Sequence, residues 1–356
     1  MAVTKQYFDT LLSEIVQQRA SDLHITVGRH PTLRIDRTLV PLLKHPIVTA
    51  DAAQSFIALL LPEHQQEHFL QAKELDFSYS FYDRARFRVN TYFQRGFSAA
   101  ALRLVPTKIG TFEDLNLPPI LQHFATQKQG FFLAVGPTGH GKSTALAAMV
   151  NYINQTRAEH IVTVEDPIEY LFTSDRSIIE QREIGIDTAD FNVALRSMFR
   201  QDVNVAMIGE MRDPETMQTA VTAAETGHLI LSTLHTNGAA QTIDRIIDAF
   251  PANQQNQIRS QLALTLVGIV SLRLLPRASG GLIPAVEVLV ATTAVRNLIR
   301  ENKTHELDMV IDTGYEEGML SLNRSLANLI RSGDVTMENA LLYALNPREL
   351  QTVLKH

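Results

Sequence analysis

The pattern of apolar and polar positions divides the chain into stretches with different grammars. Near the start, Tyr7, Phe8, Leu11, Leu12, Ile15 and Val16 recur at helical spacing. "SDLHITVG" then sets Leu23, Ile25 and Val27 against His24 and Thr26, the period-two signature of a half-buried strand. "LRIDRTLV" predicts a hairpin turning at Asp36-Arg37. A helical stretch over 51–61 stops before Pro62, and 76–104 is strand-like again, as in "FSYSFYDRARFRVNTYF". Together these elements predict a small α+β unit. "VPTKIGT", residues 105–111, carries Pro and Gly with few apolar positions and reads as a linker.

Beyond the linker the apolar runs become short and continuous, as buried parallel strands require. "GFFLAVG" (130–136) enters a glycine loop, and Leu146, Met149, Val150 and Ile153 mark one face of the helix that follows. "HIVTV" (160–164), "VAMIG" (205–209) and "LILSTL" (229–234) come next, each running into a polar residue: Glu165, Glu210 and His235. Parallel α/β sheets bind ligands at the carboxyl ends of their strands, so Lys142, Glu165, Glu210 and His235 are expected along one edge. The apolar run 262–270 reads as a buried helix. From Thr292 onward the text is helical: Val295, Leu298 and Ile299 share one face, as do Leu322, Leu326, Leu329 and Ile330, with "RSGD" as the stop. The expected organisation is an N-terminal domain over 1–104, a linker over 105–111, an α/β core over 112–291 and a helical region over 292–356.

Composition narrows the function. Of 356 residues, 45% are apolar and 20% charged, an ordinary soluble profile. The net charge of -6 argues against a nucleic-acid binder that works by broad phosphate neutralisation. With no cysteine, disulfides and thiolate zinc sites are excluded. "MAVTKQYFDTLLSEIVQQ" lacks the apolar core of a signal peptide, and the run 262–270 is too short to span a bilayer. The expectation is a cytoplasmic protein that meets a membrane only through a partner.

"GPTGHGKST" carries the first chemistry. Gly136, Gly141, Lys142 and Ser143 occupy the fixed places of the phosphate-binding loop G-x-x-x-x-G-K-[S/T]. Backbone N–H groups across Thr138, Gly139, His140, Gly141, Lys142 and Ser143 can wrap a β-phosphate, with Gly136, Pro137 and Thr144 framing them. Lys142 offers a charge to the β- and γ-phosphates, and the Ser143 hydroxyl a ligand to Mg²⁺. In "VTVEDPIEY", Glu165 can act as a base toward an attacking water; alternatively Glu165 and Asp166 form an acidic cap for a following helix. "VAMIGEMRD" resembles a Walker B strand with its acid, Glu210, as the Mg²⁺ holder, and Arg212 with Asp213 reads as a local ion pair. In "ETGHLILSTLHTNGA", His235 is placed to sense a γ-phosphate, and His228 reads less clearly. "RARFRV" puts Arg84, Arg86 and Arg88 on one strand face, with Arg95 and Arg103 nearby. Guanidinium forks there are either arginine fingers or a solvated sheet face.

The motifs "EDPIEY", "GEMRDPET", "TAAETGHLILSTLHTNGAAQTIDRIID" and "AVRNLIREN" follow the glycine loop in order, with "SDLHI" and "ARFRVN" before it. In this set the chain resembles the PilT-type ATPases of the type IV pilus, within the type II/IV secretion ATPase superfamily, over nearly its whole length. The resemblance implies a PAS-like N-terminal domain joined to a RecA-like P-loop NTPase core, in a homohexameric ring. It implies ATP and Mg²⁺ as cofactors and catalytic roles for Glu165, Glu210 and His235. Arginines of the N-terminal domain complete the site, with Arg88 and Arg103 the candidates here. It further implies an inner-membrane platform protein as partner, a second pilus motor alongside, and pilus retraction as the work done. His140 stands where such loops usually carry Ser, Ala145 where Thr is common, and Asn204 where an acid usually precedes the Walker B strand. The missing tetracysteine element favours retraction over extension. An accessory motor, a DNA-translocating ATPase and a small-molecule kinase are the competing readings. The kinase would need lid arginines where "TAAETGHLIL" stands.

Overall fold

A computed structural model describes residues 3–35, 38–82 and 84–355. The chain falls into two compact units: 1–107 with 167–171, and 108–166 with 172–356.

In the first unit, α1 (Lys5–Gln17) starts at Thr4, whose hydroxyl accepts the Tyr7 N–H. It buries Phe8, Leu11, Leu12 and Ile15 and leaves Val16 exposed. Six antiparallel strands follow: β1 (Asp22–Ile25), β2 (Thr32–Ile35), β3 (Thr38–Pro41), β4 (Glu74–Phe81), β5 (Ala85–Gln94) and β6 (Phe97–Leu104). They form one sheet in the order β3-β2-β1-β6-β5-β4. The pairing of β2 with β3 is the expected hairpin; its turn, Asp36-Arg37, lies outside the described residues. Two helices, α2 (Ala50–Leu60) and α3 (Glu63–Ala72), separate β3 from β4. The periodicity over 51–61 anticipates the first of these and nothing anticipates the second. Phe87 and Val89 of β5 face the core with Phe8, Leu23 and Phe56, so Arg86 and Arg88 occupy the opposite face of the pleat.

The second unit bears out the α/β reading. After α4 (Ile120–Ala125), β7 (Gly130–Val135) leads into α5 (Lys142–Thr156). Next come β8 (His160–Glu165), β9 (Ile178–Glu183), α6 (Phe191–Met198), β10 (Val205–Ile208), α7 (Pro214–Glu225), β11 (Leu229–Leu234), α8 (Ala239–Asp248) and α9 (Ala252–Thr265). The unit closes with β12 (Leu266–Pro276), β13 (Leu282–Val290) and five helices: α10 (Thr293–Arg300), α11 (Leu307–Thr313), α12 (Leu322–Arg331), α13 (Met337–Tyr343) and α14 (Pro347–Lys355). The sheet order is β13-β12-β7-β11-β10-β8-β9, parallel throughout except for β13. Strands β7, β10 and β11 are buried along their whole length, which is why their sequences lack alternation.

The run 262–270 corrects the expected buried helix. It is half helix and half strand: α9 ends at Thr265 and β12 begins at Leu266. A continuous apolar run has no period with which to choose. The choice is made by β7, beside which β12 lies in parallel register. Among the described residues no helix is long and apolar enough to cross a membrane.

Candidate nucleotide site

Strand β7 delivers the chain into the glycine loop at an angle only glycine tolerates. Gly136 has φ +138°, and a Cβ there would lie 2.4 Å from the Leu272 carbonyl oxygen on β12. Gly141, at φ +88°, is the N-cap of α5 and supplies no side chain to its first N–H groups. Those groups, at the positive end of a 15-residue helix, form an anion site. Lys142 is buried in the loop, and its Nζ donates to the carbonyls of Gly136 (2.9 Å) and Pro137 (3.0 Å). Ser143 and Thr144 are half-buried in the first turn of α5.

Neighbouring strands end level with β7. Val135 pairs with Leu234, and Ile208 pairs with both Ser232 and Val164. Cross-strand bonds lock these ends: Ser232 Oγ donates to the Ile208 carbonyl (2.9 Å) and Thr233 Oγ1 to the Gly209 carbonyl (2.7 Å). Glu210 and His235, one or two residues further along, are thereby fixed together. His235 Nε2 lies 3.2 Å from Glu210 Oε2, and Nδ1 lies 3.5 Å from Lys142 Nζ and 3.3 Å from Thr138 Oγ1. An ammonium only donates and a carboxylate only accepts. The geometry therefore calls for the Nε2–H tautomer, bridging Lys142 to Glu210. The other Glu210 oxygen, Oε1, pairs with Arg212.

Glu165, at the end of β8, is buried. Its Oε1 accepts the Thr163 hydroxyl (2.7 Å) and the Gln181 amide (3.2 Å). Gln181, on β9, is anchored in turn by accepting the Phe172 N–H at 2.9 Å. Gln181 is a site residue that sequence reading missed, since only the parallel register of β8 with β9 brings it to Glu165. No helix begins after Asp166; the next element is β9, so Glu165 and Asp166 are not a helix cap.

The remaining candidates are placed as follows. His140 turns away from the loop's phosphate face: its Nδ1 accepts the Leu274 N–H of β12 at 2.9 Å, and its ring meets the edge of Tyr343. Burial first, then Arg273 and Lys142, lower its pKa, in keeping with an accepting, neutral ring. His228 sits at the far end of β11, about 23 Å of extended chain from His235 at ~3.3 Å per residue, with Nδ1 on the Ala223 carbonyl. Asn204 ties strands, accepting the His160 N–H through Oδ1 at 2.8 Å. The expected Arg212–Asp213 pair is not formed. Arg212 reaches Glu210, and Asp213 caps α7 by accepting the Thr216 N–H (2.8 Å), because a cap residue's short side chain folds back onto its own helix. Arg88 and Arg103 belong to the first unit, where they are cross-strand neighbours. Arg103 Nε is tied to Asp22 Oδ1 at 2.8 Å, while the Arg88 side chain makes no ion pair or hydrogen bond among the described residues.

A glycine loop between a buried parallel strand and a helix, with an acid and a histidine on adjoining strand ends, defines a P-loop nucleotide-binding protein. The chain belongs to the type II/IV secretion system protein family, whose sequence model matches residues 1–281. It is 41% identical over 334 residues to the type IV pilus retraction ATPase PilT of Pseudomonas aeruginosa, covering 93% of this chain and 96% of that one. It is 40% identical over 349 residues to the type IV pilus ATPase PilU of the same organism, covering 98% and 91%. The crystal structure of the pilus retraction motor PilT with bound ADP superposes with a TM-score of 0.89 at 43% identity, covering 97% of this chain and 98% of that one. The expected RecA-like core with a smaller N-terminal domain and C-terminal helices is thus the fold of this family.

Proposed function

We propose that the chain is an ATP-hydrolysing motor that drives retraction of type IV pili, working as a ring of six copies. The observation that carries this is the chain Lys142–His235–Glu210 beside the buried Glu165, in a protein that aligns with PilT over 93% of its length. The cradle fits a nucleotide: Gly136 keeps the loop against β12, and α5 turns its N–H groups outward. ATP is held by backbone N–H groups from Thr138 to Ser143 and by Lys142. A phosphate charge ~4 Å from the ammonium offers about 4 kcal/mol at an effective dielectric of 20, more than either of its bonds to a neutral carbonyl, worth about 1.5–3 kcal/mol each. Lys142 therefore turns to the phosphates. Ser143 and Glu210 are the groups that would hold Mg²⁺, whose chemistry there is to offset phosphate charge. Glu165 takes the proton of the attacking water, and His235 reports whether a γ-phosphate is present. Of the two arginines, Arg88 is the better candidate to complete a neighbouring site, since Arg103 is engaged by Asp22.

The two-domain division expected at 105–111 lets the N-terminal unit serve as the lever of such a ring. The motor works at the cytoplasmic face of the inner membrane, under a platform protein and beside a second pilus motor. The accessory reading is kept by the PilU match, 40% identical over 98% of the chain against 41% over 93% for PilT.

Mg²⁺-dependent ATP hydrolysis by the purified protein tests both readings. We expect turnover by the wild type, with Glu165→Gln and Glu210→Gln binding ATP and losing about 10²-fold or more in rate. If the wild type binds ATP without hydrolysing it faster than the variants, the accessory reading replaces the motor.

A further inference from the structure

A cavity of about 550 Å³ opens in the second unit where α8, β13, α11, α12 and α14 converge. Its acidic groups come from four elements: Asp244 on α8, Glu287 on β13, Asp308 and Asp312 on α11, and Glu349 on α14. No lysine or arginine lines it among the described residues. Ile311, Leu322 and Leu345 supply apolar wall between the carboxylates.

Acidity alone would be a solvated surface. Two buried groups make the cavity a site. Asn323 is only 6% exposed and lines it, yet its Oδ1 meets no hydrogen-bond partner. Leaving such a group unpaired costs roughly 1–3 kcal/mol. Glu287 is 9% exposed and has one hydrogen bond, from the Ala239 N–H to Oε1 at 2.7 Å, so its second oxygen has no donor among the described residues. Both are acceptors awaiting N–H or O–H groups.

The arrangement also selects among cations. No three described His, Cys, Asp or Glu groups gather closely enough to hold a metal ion. The carboxylates are spread over four elements rather than gathered in one cluster. They suit compact ammonium charges spaced along an alkyl stem, with the stem against Ile311, Leu322 and Leu345. We propose that this cavity binds an alkylammonium ligand. Free aliphatic polyamines and a lysine side chain of another protein segment share that chemistry. The wall includes Asn237 and Gly238, in the segment that directly follows His235, where Asn237 is braced by Arg273 and its carbonyl accepts the Ser271 hydroxyl.

The test is calorimetric titration of the full chain, without nucleotide, by spermidine and by Nα-acetyl-lysine methylamide, which keeps it independent of hydrolysis. We expect saturable one-site binding, weakened at least tenfold in Glu287→Gln and in Asp312→Asn, and unchanged in Glu338→Gln, an exposed acid on α13 outside the wall. Circular dichroism establishes that each variant is folded, and Asp312, half-buried, provides a second route should Glu287→Gln fail to fold. Tighter binding of spermidine identifies a free polyamine as the ligand; tighter binding of the lysine analogue identifies a side chain. Absence of saturable binding to either, or equal binding by the wild type and both cavity variants, overturns the assignment.

Discussion

In the first unit's sheet, Arg34, Asp22, Arg103 and Arg88 stand side by side on β2, β1, β6 and β5 as direct cross-strand partners. Asp22 is the buried centre of this row. It accepts from Arg103 and from the Ser21 hydroxyl (2.8 Å each), with Arg34 at 3.9 Å. The second unit's sheet handles charge differently. Glu165, Glu210 and His235 sit at or just beyond the ends of adjoining parallel strands, level with the glycine loop. Glu287 sits mid-strand against a cavity with one backbone donor. A charge answered within the pleat belongs to the fold, whereas charges collected at an edge or cavity are kept for something that arrives.

Lys142→Ala tests this contrast most severely. ATP hydrolysis should fall by about 10²–10³-fold or more, since a preorganised charge on the phosphates is lost, while the thermal midpoint barely moves. A variant that unfolds would make Lys142 a structural group and collapse the distinction. Glu287 comes next. Burial pushes its pKa up from 4.5 to about 7, with Asp308 and Asp312 adding to the rise and the Ala239 N–H and Arg273 opposing it. The folded state therefore holds this proton more tightly than the unfolded chain. The contribution of Glu287 to stability is full below about 4.5 and is lost as pH rises through about 7, by about 3 kcal/mol at ~1.4 kcal/mol per unit. Glu287→Gln should remove that decline in a pH series of chemical denaturations. An unchanged slope would place the uncompensated charge elsewhere.

How much of this was legible in the sequence depends on whether partners are local. The glycine loop, β7, β10 and β11 were readable because each strand is a short buried run that leads directly into the glycine loop or a candidate site residue. The helix with Leu146, Met149, Val150 and Ile153 was readable from its period, and all four are buried. Gln181 was not, because its glutamine identity says nothing until β9 is laid beside β8. The role of His140 was hidden for the same reason: its partner Leu274 is 134 residues away. Glu287 did leave a mark, a lone acid inside "IPAVEVLV", the only charge in an otherwise apolar strand. Arg212 was misassigned because Asp213 is its immediate neighbour in sequence; helix capping claims that acid and leaves Glu210, two residues back, as the partner.

Gln181→Leu sharpens the contrast from the catalytic side. Gln181 donates to Glu165, so with Glu165 as the proposed base it is a positioning residue. We expect kcat for ATP hydrolysis to fall about tenfold with KM unchanged. Gln181→Glu should move the pH profile upward, since a second carboxylate disfavours the charged form of Glu165. A purely structural role would leave the profile in place.

The smallest effect belongs to Asp22, and its direction is opposite to that of Glu287. Burial alone would raise its pKa, but the hydrogen bonds from Ser21 and Arg103 and the charge of Arg103 outweigh it and hold the group below 3.8. The unfolded chain therefore takes up this proton first. The stabilisation is present above the unfolded value and is lost as pH falls through the lower folded one. Asp22→Asn should lower the denaturation midpoint at neutral pH and converge with the wild type in acid. The same substitution releases Arg103 from its partner. If Arg103 belongs to the fold rather than to a nucleotide, hydrolysis stays unchanged while stability drops. A loss of both would move Arg103 from the answered charges of the first sheet to those kept for a ligand.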